Sequence, residues 1–394
     1  MDEILFLVHR IPYPPNKGDK IRSYHVLKHL ARRFRVHLGS FIDDPADWAH
    51  AEALRPLVDR LELRPLAPPL AKLRSLVGLA TNEPLSLPYY RDRQLQDWVD
   101  RLVAGVSLKG ALAFSSPMAQ YLERHPQLPA VVDFVDVDSA KWYSYAAGCR
   151  GPARWVYRRE GERLLAYERR VAASAKSALF VSAEEAALFR SLAGLQAATV
   201  KVMENGVDRD YFTPDRAYDN PYPEGAEPLV FTGVMDYWPN VDAVVWFARE
   251  VLPELLRRRP QVRFFVVGTR PAAAVRALAG LPGVTVTGAV ADVRPYLAHC
   301  RLALAPLRIA RGVQNKVLEA MAMARVVVAS PQAMEGIGSS EGLDVRLADA
   351  PQDWIGLLEN LEKLPTVAHR NRRMIEARYD WERNLAVLDD LWSA

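Results

Sequence analysis

Short apolar runs alternate with longer amphipathic ones along almost the whole chain. In the first half, residues 4–8, 36–41, 61–66, 111–115, 131–135, 178–181 and 200–203 are mostly apolar and rich in Val, Leu, Ile or Phe. Strands buried on both faces have this character, because neither face alternates toward solvent. Helical patterns fill the gaps, for example 20–34 and 154–174. The second half repeats the scheme, with predicted strands at 229–232, 264–267, 284–287, 302–305 and 326–329 and predicted helices at 241–258, 272–279, 293–299 and 313–323. Strand–helix–strand alternation predicts parallel, doubly wound sheets, so the expected class is α/β with Rossmann-like domains.

The chain has 394 residues, and single cores stop growing at roughly 250–300. Two domains are therefore expected. Between the halves, residues 213–228 are rich in Pro, Asp, Glu and Tyr, and Pro214, Pro221, Pro223 and Pro228 argue against a regular element. That stretch reads as the linker, with domains at 1–213 and 229–379. Ligands of open α/β sheets bind beyond the carboxyl ends of the strands, so two such sheets facing each other predict a cleft between them as the site.

Composition changes this picture little. Half of the residues are apolar and a quarter charged, as in ordinary globular proteins. The two cysteines, Cys149 and Cys300, form neither a disulfide framework nor a metal cluster. The start MDEILFLVHR puts acidic residues ahead of an apolar run, the reverse of a secretory leader. No apolar run reaches the roughly 18 residues that span a bilayer, so a cytoplasmic location is expected. The net charge of +4 does not imply nucleic acid. The basic residues do cluster, at Arg55, Arg60, Arg64, Lys72 and Arg74 beside the apolar 76–80, and at Arg150, Arg154, Arg158, Arg159, Arg163, Arg169 and Arg170. Such clusters read as solvated helix faces or as contacts with anionic lipid at the inner membrane surface. The helix at 154–174, with Glu160, Glu162 and Glu168, reads as a solvated structural element whose basic face is the best membrane candidate.

The segment richest in chemistry is 311–323, RGVQNKVLEAMAM, after the predicted strand 302–305. A helix opening there presents free N–H groups and a positive dipole end to an anion, and Gly312 allows close approach to the backbone. Lys316 and Glu319 stand three apart on one helix face. A lysine for a diphosphate and a carboxylate for ribose hydroxyls would suit a nucleoside diphosphate. A surface ion pair would give the same spacing.

The run Leu318-Glu319-Ala320-Met321-Ala322 resembles the donor-site helix of GT-B glycosyltransferases of family 4. That family usually carries Glu, seven residues, then Glu, and the first would fall at Arg311. A subset carries Gly-x-x-x-Lys-x-x-Glu, which Gly312, Lys316 and Glu319 fit. The resemblance implies two Rossmann-like domains facing across a cleft and a nucleotide-sugar donor held by Arg311, Gly312, Val313, Asn315, Lys316 and Glu319, with Glu319 on the ribose. Asn205-Gly206-Val207-Asp208 resembles the end of the family's first domain, and Phe231-Thr232-Gly233 the first strand and glycine loop of its second. The Arg and Lys that usually follow that glycine are absent. Phosphate neutralisation then falls to Lys316, and Gly233 to close approach. Tyr379-Asp380-Trp381 resembles the start of the family's C-terminal helix, so 380–394 is expected to pack on the first domain.

In the first half, the loop 12–22, PYPPNKGDKIR, stands where GT-B enzymes face the donor phosphates or the acceptor, with Gly18 for close approach and Lys17, Lys20 and Arg22 for charge. A Pro-rich connection with solvated charges would look alike. His9 ends the first predicted strand and is either cleft-facing or structural. Asp136 aligns best with a histidine that many family members place near the sugar, and Asp138 follows closely. Either could orient a donor hydroxyl or act as a base, and Asp138 or Ser139 could instead cap the next helix. Asp136-Val137-Asp138 also looks like the metal motif of GT-A enzymes, but the two-domain layout argues against that fold.

Together, residues 10–15, 133–139, 235–240 and 311–322 look like the family 4 sugar transferases of PEP-CTERM/exosortase and exopolysaccharide systems. This implies a retaining enzyme with a lipid-linked or saccharide acceptor, with no cofactor beyond the donor and no metal required. The catalytic residues are expected to be Asp136, Asp138 and Lys316. The alternatives are a sugar-nucleotide 2-epimerase on the same fold, whose carboxylates and histidines are not found here, and a nucleotide-binding scaffold without catalysis. A nicotinamide dehydrogenase is disfavoured because no Gly-x-Gly-x-x-Gly follows the first strand of either half.

Overall fold

The computed structural model describes residues 1–194, 199–310 and 312–392. Within it the chain divides into two compact units, one of Met1–Glu204 with the C-terminal segment from Glu382, the other of Asn205–Trp381.

The first unit holds seven strands, β1 (Glu3–Val8), β2 (Arg35–Ile42), β3 (Arg60–Pro65), β4 (Leu108–Phe114), β5 (Ala130–Val135), β6 (Ser177–Phe180) and β7 (Val200–Val202). They form one parallel sheet in the order β3-β2-β1-β4-β5-β6-β7. In β1, Ile4 through Val8 are all fully buried, so both faces of the central strand are covered, as its unbroken apolar sequence requires.

The second unit holds β8 (Glu227–Thr232), β9 (Val262–Val267), β10 (Val284–Gly288), β11 (Leu302–Ala305), β12 (Val327–Ala329) and β13 (Val345–Leu347), in the order β10-β9-β8-β11-β12-β13. Both sheets reverse strand order next to their first strand, at β1/β4 and β8/β11. In open parallel sheets this switch point opens the crevice that takes ligands.

The chain leaves the first unit at Glu204–Asn205, ahead of the stretch 213–228 expected to be a linker. That stretch is instead packed on the second core. Tyr222 is buried with its ring 4.6 Å from Phe265, and its hydroxyl donates to the Tyr296 carbonyl at 2.6 Å. Pro214, Pro221 and Pro223 keep a helix or strand out without excluding burial, which aromatic side chains can secure alone; Pro228, against expectation, sits inside β8 opposite Arg263. Two motifs far apart in sequence meet where the chain changes units. Val207 bridges to Asp380, and a side chain on Gly206 would collide with the Trp381 ring at 2.7 Å.

Several local expectations shift. The helix expected at 241–258 runs as Trp238–Trp246, a π-turn at Phe247–Val251, and Leu252–Arg258. Pro253 lacks the N–H that would continue regular α-bonding, which favours the bulge before it. Lys20 and Arg22 are not solvated or ligand-ready charges. Both are 1% exposed, Lys20 donating to Asp47 at 2.6 Å and Arg22 to both oxygens of Asp133 at 2.8 and 3.0 Å. Arg22 also donates to the Met203 carbonyl at 2.7 Å, tying the first helix (Gly18–Ala31) to the ends of β5 and β7. The helix expected at 154–174 spans Pro152–Ser174, and two of its three glutamates are buried rather than solvated. Glu160 accepts from the Leu85 N–H at 2.8 Å, and Glu168 from the Ser139 hydroxyl at 2.6 Å. Only Glu162 is exposed.

Candidate functional site

At the carboxyl edge of the second sheet, three strands end in glycine-lined backbone. The Gly233 N–H donates to the Val267 carbonyl at 3.1 Å, and the Gly268 N–H to the Gly288 carbonyl at 3.2 Å. A Cβ on Gly268 would overlap the Gly233 carbonyl oxygen, so this approach of β8 to β9 requires glycine. A Cβ on Gly233 would lie 2.8 Å from Asn240 and 3.5 Å from Lys316 Cε. Gly233 and Lys316 are therefore neighbours at the β8/β11 switch point.

Lys316 sits in the first turn of the helix Asn315–Ala322. This helix starts later than the expected 313, because Gly312 adopts φ +64° and turns the chain just before it. A side chain on Gly336 would collide with Gly312, so two glycines pack here backbone to backbone. Gln314 at the N-cap makes no side-chain cap bond, leaving first-turn N–H groups for an outside acceptor. Asn315 opens the helix, and half-buried Val313 packs against the core. Arg311, expected in this group, lies outside the described residues.

The Lys316 ammonium lies 5.3 Å from the Phe231 ring centre. Among the described residues, neither it nor the Glu319 carboxylate has a hydrogen bond or an ion pair within reach. Both are half-buried by exposed area, yet they are ringed closely enough by protein for the loss of water to dominate. Burial pulls Lys316 down to about 8 against the attraction of Glu319. Burial pushes Glu319 up to about 7 against that of Lys316. No ion pair joins Lys316 to Glu319 among the described residues, so the helix does not carry the surface salt bridge that the spacing also allowed.

Sequence reasoning missed three groups here. Gly268 could have been noticed as a glycine directly after an apolar strand. Asn240 is 4% exposed, donates to the Val234 carbonyl at 2.9 Å, and keeps a buried oxygen without a partner beside Gly233. The Arg294 guanidinium stacks 3.8 Å from the Tyr211 ring centre, and the Tyr211 hydroxyl reaches Asp292 at 3.3 Å. Burial and then the Asp292 and Glu319 carboxylates push the Tyr211 phenol up, so this group lies within electrostatic reach of Glu319. No local pattern joins residues so far apart in sequence.

Gly18, Asp136 and Asp138 lie in the first unit. Gly18 is exposed in the first turn of its helix, and its neighbour Asp19 meets His9 at 3.3 Å and Arg10 at 2.5 Å. Burial works to raise Asp19, but His9 and Arg10 together hold it well below the usual carboxylate range. His9 stacks on Phe114 at 5.7 Å, beside the first sheet's own switch point.

Asp136 follows β5 directly, after Val135 at φ +67°, a strained conformation for a β-branched residue. The Lys141 ammonium donates to Asp136 at 2.8 Å and to Asp138 at 2.9 Å. The two carboxylates thus share one cation. Despite its burial they push the ammonium above the usual lysine range. Neither Asp138 nor Ser139 caps the helix Asp138–Gly148. Val137 stands at its N-cap, and Ser139 is 0% exposed and bonded to Glu168.

This is a GT-B architecture, two Rossmann-like sheets of seven and six parallel strands. Residues 226–364 match the sequence profile of the family described as glycosyl transferases group 1. No curated protein sequence matches the chain. Among solved structures, sucrose-phosphate synthase from Thermosynechococcus elongatus is similar over 100% of this chain and 98% of its own, with a TM-score of 0.70 and 17% identity. Anabaena HepE, solved in complex with UDP, is similar over 99% of both chains at TM-score 0.65 and 16% identity. The OtsA apo structure is similar over 100% of both at 0.66 and 12%. The profile match is confined to the second unit, so what it shows is a group 1 glycosyltransferase domain there; with the GT-B fold of the whole chain, it marks the protein as a glycosyltransferase.

Proposed function

We propose that the protein is a retaining glycosyltransferase that moves a sugar from a nucleoside-diphosphate donor to a lipid-linked or saccharide acceptor. Its setting would be bacterial cell-surface glycan synthesis of the exopolysaccharide or exosortase-associated kind, at the cytoplasmic face of the inner membrane. One observation carries the reading. Lys316 and Glu319 stand at the switch point, desolvated and without partners among the described residues, beside glycine backbone that lets a ligand approach. A diphosphate supplies the anion that Lys316 lacks, and ribose hydroxyls supply the donors that Glu319 lacks. HepE has been solved with UDP-glucose, which supports a donor of this class.

The bond between the anomeric carbon and the β-phosphate oxygen breaks, and the charge left on that oxygen meets Lys316 and the uncapped helix N-terminus. The acceptor hydroxyl bonds to the anomeric carbon on the same face, and its proton passes to the departing phosphate. Shared across Lys141, Asp136 and Asp138 suit hydroxyl positioning better than proton abstraction.

Lys316→Ala and Glu319→Ala are each expected to lower turnover by about 10²-fold or more while the fold survives. Thermal shift with UDP, GDP and ADP, followed by turnover on acceptor extracts, checks both. Near-normal turnover in both variants would defeat the assignment. Stabilisation by a nucleotide without any turnover would favour a binding scaffold.

A further inference from the structure

One face of the first unit differs from the rest of its surface. The helices Pro68–Ser75 and Val77–Thr81, with Leu76 joining them, expose Leu70 at 69%, Leu73 at 67%, Leu76 at 52%, Val77 at 51% and Leu79 at 41%. Of these two helices only Ala71 and Gly78 are buried. Arg159 donates to the Gly78 carbonyl at 2.7 Å and the Glu83 carbonyl at 3.3 Å, so the first turns of the Pro152–Ser174 helix lie against this segment. Trp155, one turn before Arg159 on the same helix face, is 63% exposed. Tyr145, on the adjoining Asp138–Gly148 helix and 6.1 Å from Tyr157, is 55% exposed. Single exposed apolar residues are ordinary. Seven large ones on segments held together are a patch with a use.

The charge around the patch is mostly positive, with Glu83, Glu160 and Glu162 at its border. Residues 68–82 carry Lys72 and Arg74 and no acid, and residues 145–159 carry Arg150, Arg154, Arg158 and Arg159 and no acid. These six positive charges exceed the +4 of the whole chain. Arg158 pairs with Glu162 at 3.1 Å and Glu160 lies within electrostatic reach of Arg159, whereas Arg74 bonds only to backbone carbonyls. Arginine is enriched in protein–protein interfaces as well, so the choice of partner rests on the excess of positive charge, which complements an anionic surface. Leucines and an exposed tryptophan interleaved with lysine and arginine match the boundary between headgroups and acyl chains. No helix among the described residues is long and apolar enough to cross a membrane, so the contact is one of lying on the surface.

We propose that this face, Leu70 to Leu79 with Trp155 and the surrounding arginines, docks the protein on an anionic lipid bilayer. The inference stands independently of the transferase reading, because it uses none of the residues assigned to the donor. Flotation of the full-length protein, without nucleotide or acceptor, tests it. The probes are vesicles of phosphatidylcholine and phosphatidylglycerol at two to one, and vesicles of phosphatidylcholine alone. Binding is expected to the anionic vesicles, at least tenfold weaker to the neutral ones, and weaker with added salt. Leu73→Ser with Leu76→Ser is expected to lower binding at least tenfold at an unchanged melting temperature, since both side chains already face solvent. Arg150→Gln with Arg154→Gln is expected to weaken binding and flatten its salt dependence. No binding of the parent to anionic vesicles would overturn the proposal, as would undiminished binding of the leucine variant. A concentration-dependent dimer lost in the leucine variant, with no vesicle binding, would assign the face to a second copy and equally overturn it. Nucleotide binding by a protein that ignores vesicles would leave the donor-site reading intact.

Discussion

At the scale of single residues, the proposed donor-site pair, Lys316 and Glu319, makes a pH prediction with two limbs. Lys316 is pulled down to about 8 by burial, so its ammonium is lost as pH rises through that value. Glu319 is pushed up to about 7 by burial, so its carboxylate is lost as pH falls through that value. A diphosphate needs the first charge and ribose hydroxyls prefer the second. Nucleotide affinity is therefore expected to peak between the two and fall on both sides, with the limbs belonging to the coupled pair. Titration calorimetry from about pH 6 to about pH 9 checks this, and Glu319→Gln should remove the acid limb. An affinity flat across that range would count against the pair.

Glu168 makes a second residue-scale prediction, on stability. Burial pushes it up to about 8, well above its ordinary value of 4.5. The unfolded chain releases this proton near 4.5 and the folded protein keeps it to about 8. Between those values the unfolded state binds fewer protons, so stability declines as pH rises. The loss is on the order of a few kcal/mol. Glu168→Gln stays neutral and can still accept from Ser139. It should flatten the decline, raising stability near pH 9 relative to the parent, as read by denaturant unfolding at about pH 6 and about pH 9. An identical pH slope in both proteins would show that another group sets it.

At the scale of elements, the second sheet depends on the approach of β8 to β9 at Gly233 and Gly268. Gly268 has φ +153°, and a Cβ there would overlap the Gly233 carbonyl. Gly268→Ala should cost about 3 kcal/mol or more and weaken nucleotide binding by moving Gly233 away from Lys316. Gly280→Ala is the control. Nothing lies within 4 Å of a Cβ there, so a change near zero or a small gain is expected. Urea melts of both variants decide the matter.

The elements also show what sequence could convey. Every strand read from an apolar run is present; in the central strands the cause is cover on both faces, which requires apolar residues throughout, whereas the edge strand β3 has no buried residue and kept only a broken run. β13 escaped notice. It has three residues, Val-Arg-Leu, of which only Val345 is buried, at the edge of its sheet. That Lys316 and Glu319 share one helix was legible because the helix is local. The Lys141 bridge was not, since nothing in the spacing of Asp136 and Asp138 says which cation lies between them. Lys20 and Arg22 misled for the converse reason. Their partners, Asp47 and Asp133, are 27 and 111 residues away.

At the scale of the whole molecule, the C-terminal segment is the most exposed to test. After crossing out of the second unit at Trp381, the chain ends on the first. There Asp389 meets His29 at 2.8 Å and Arg33 at 2.9 Å, and the Trp392 ring lies edge-on to Phe34 at 6.0 Å. Gly110 at the start of β4 leaves room for that ring, since a Cβ there would collide with it. Leu385, Leu388, Leu391 and Trp392 are all 3% exposed or less. At about 1.5–3 kcal/mol for each fully buried large apolar side chain, their combined contribution approaches the whole stability of a typical domain. Truncation after Trp381 should therefore destabilise the first unit and spare the second. In hydrogen exchange, amides of β1, β2 and β4 should lose protection while those of β8, β9 and β11 keep it. Nucleotide should still stabilise the truncated chain, because Gly233, Lys316 and Glu319 all lie in the second unit. Equal loss of protection in both sheets would mean that the segment supports more of the molecule than the unit it is packed on.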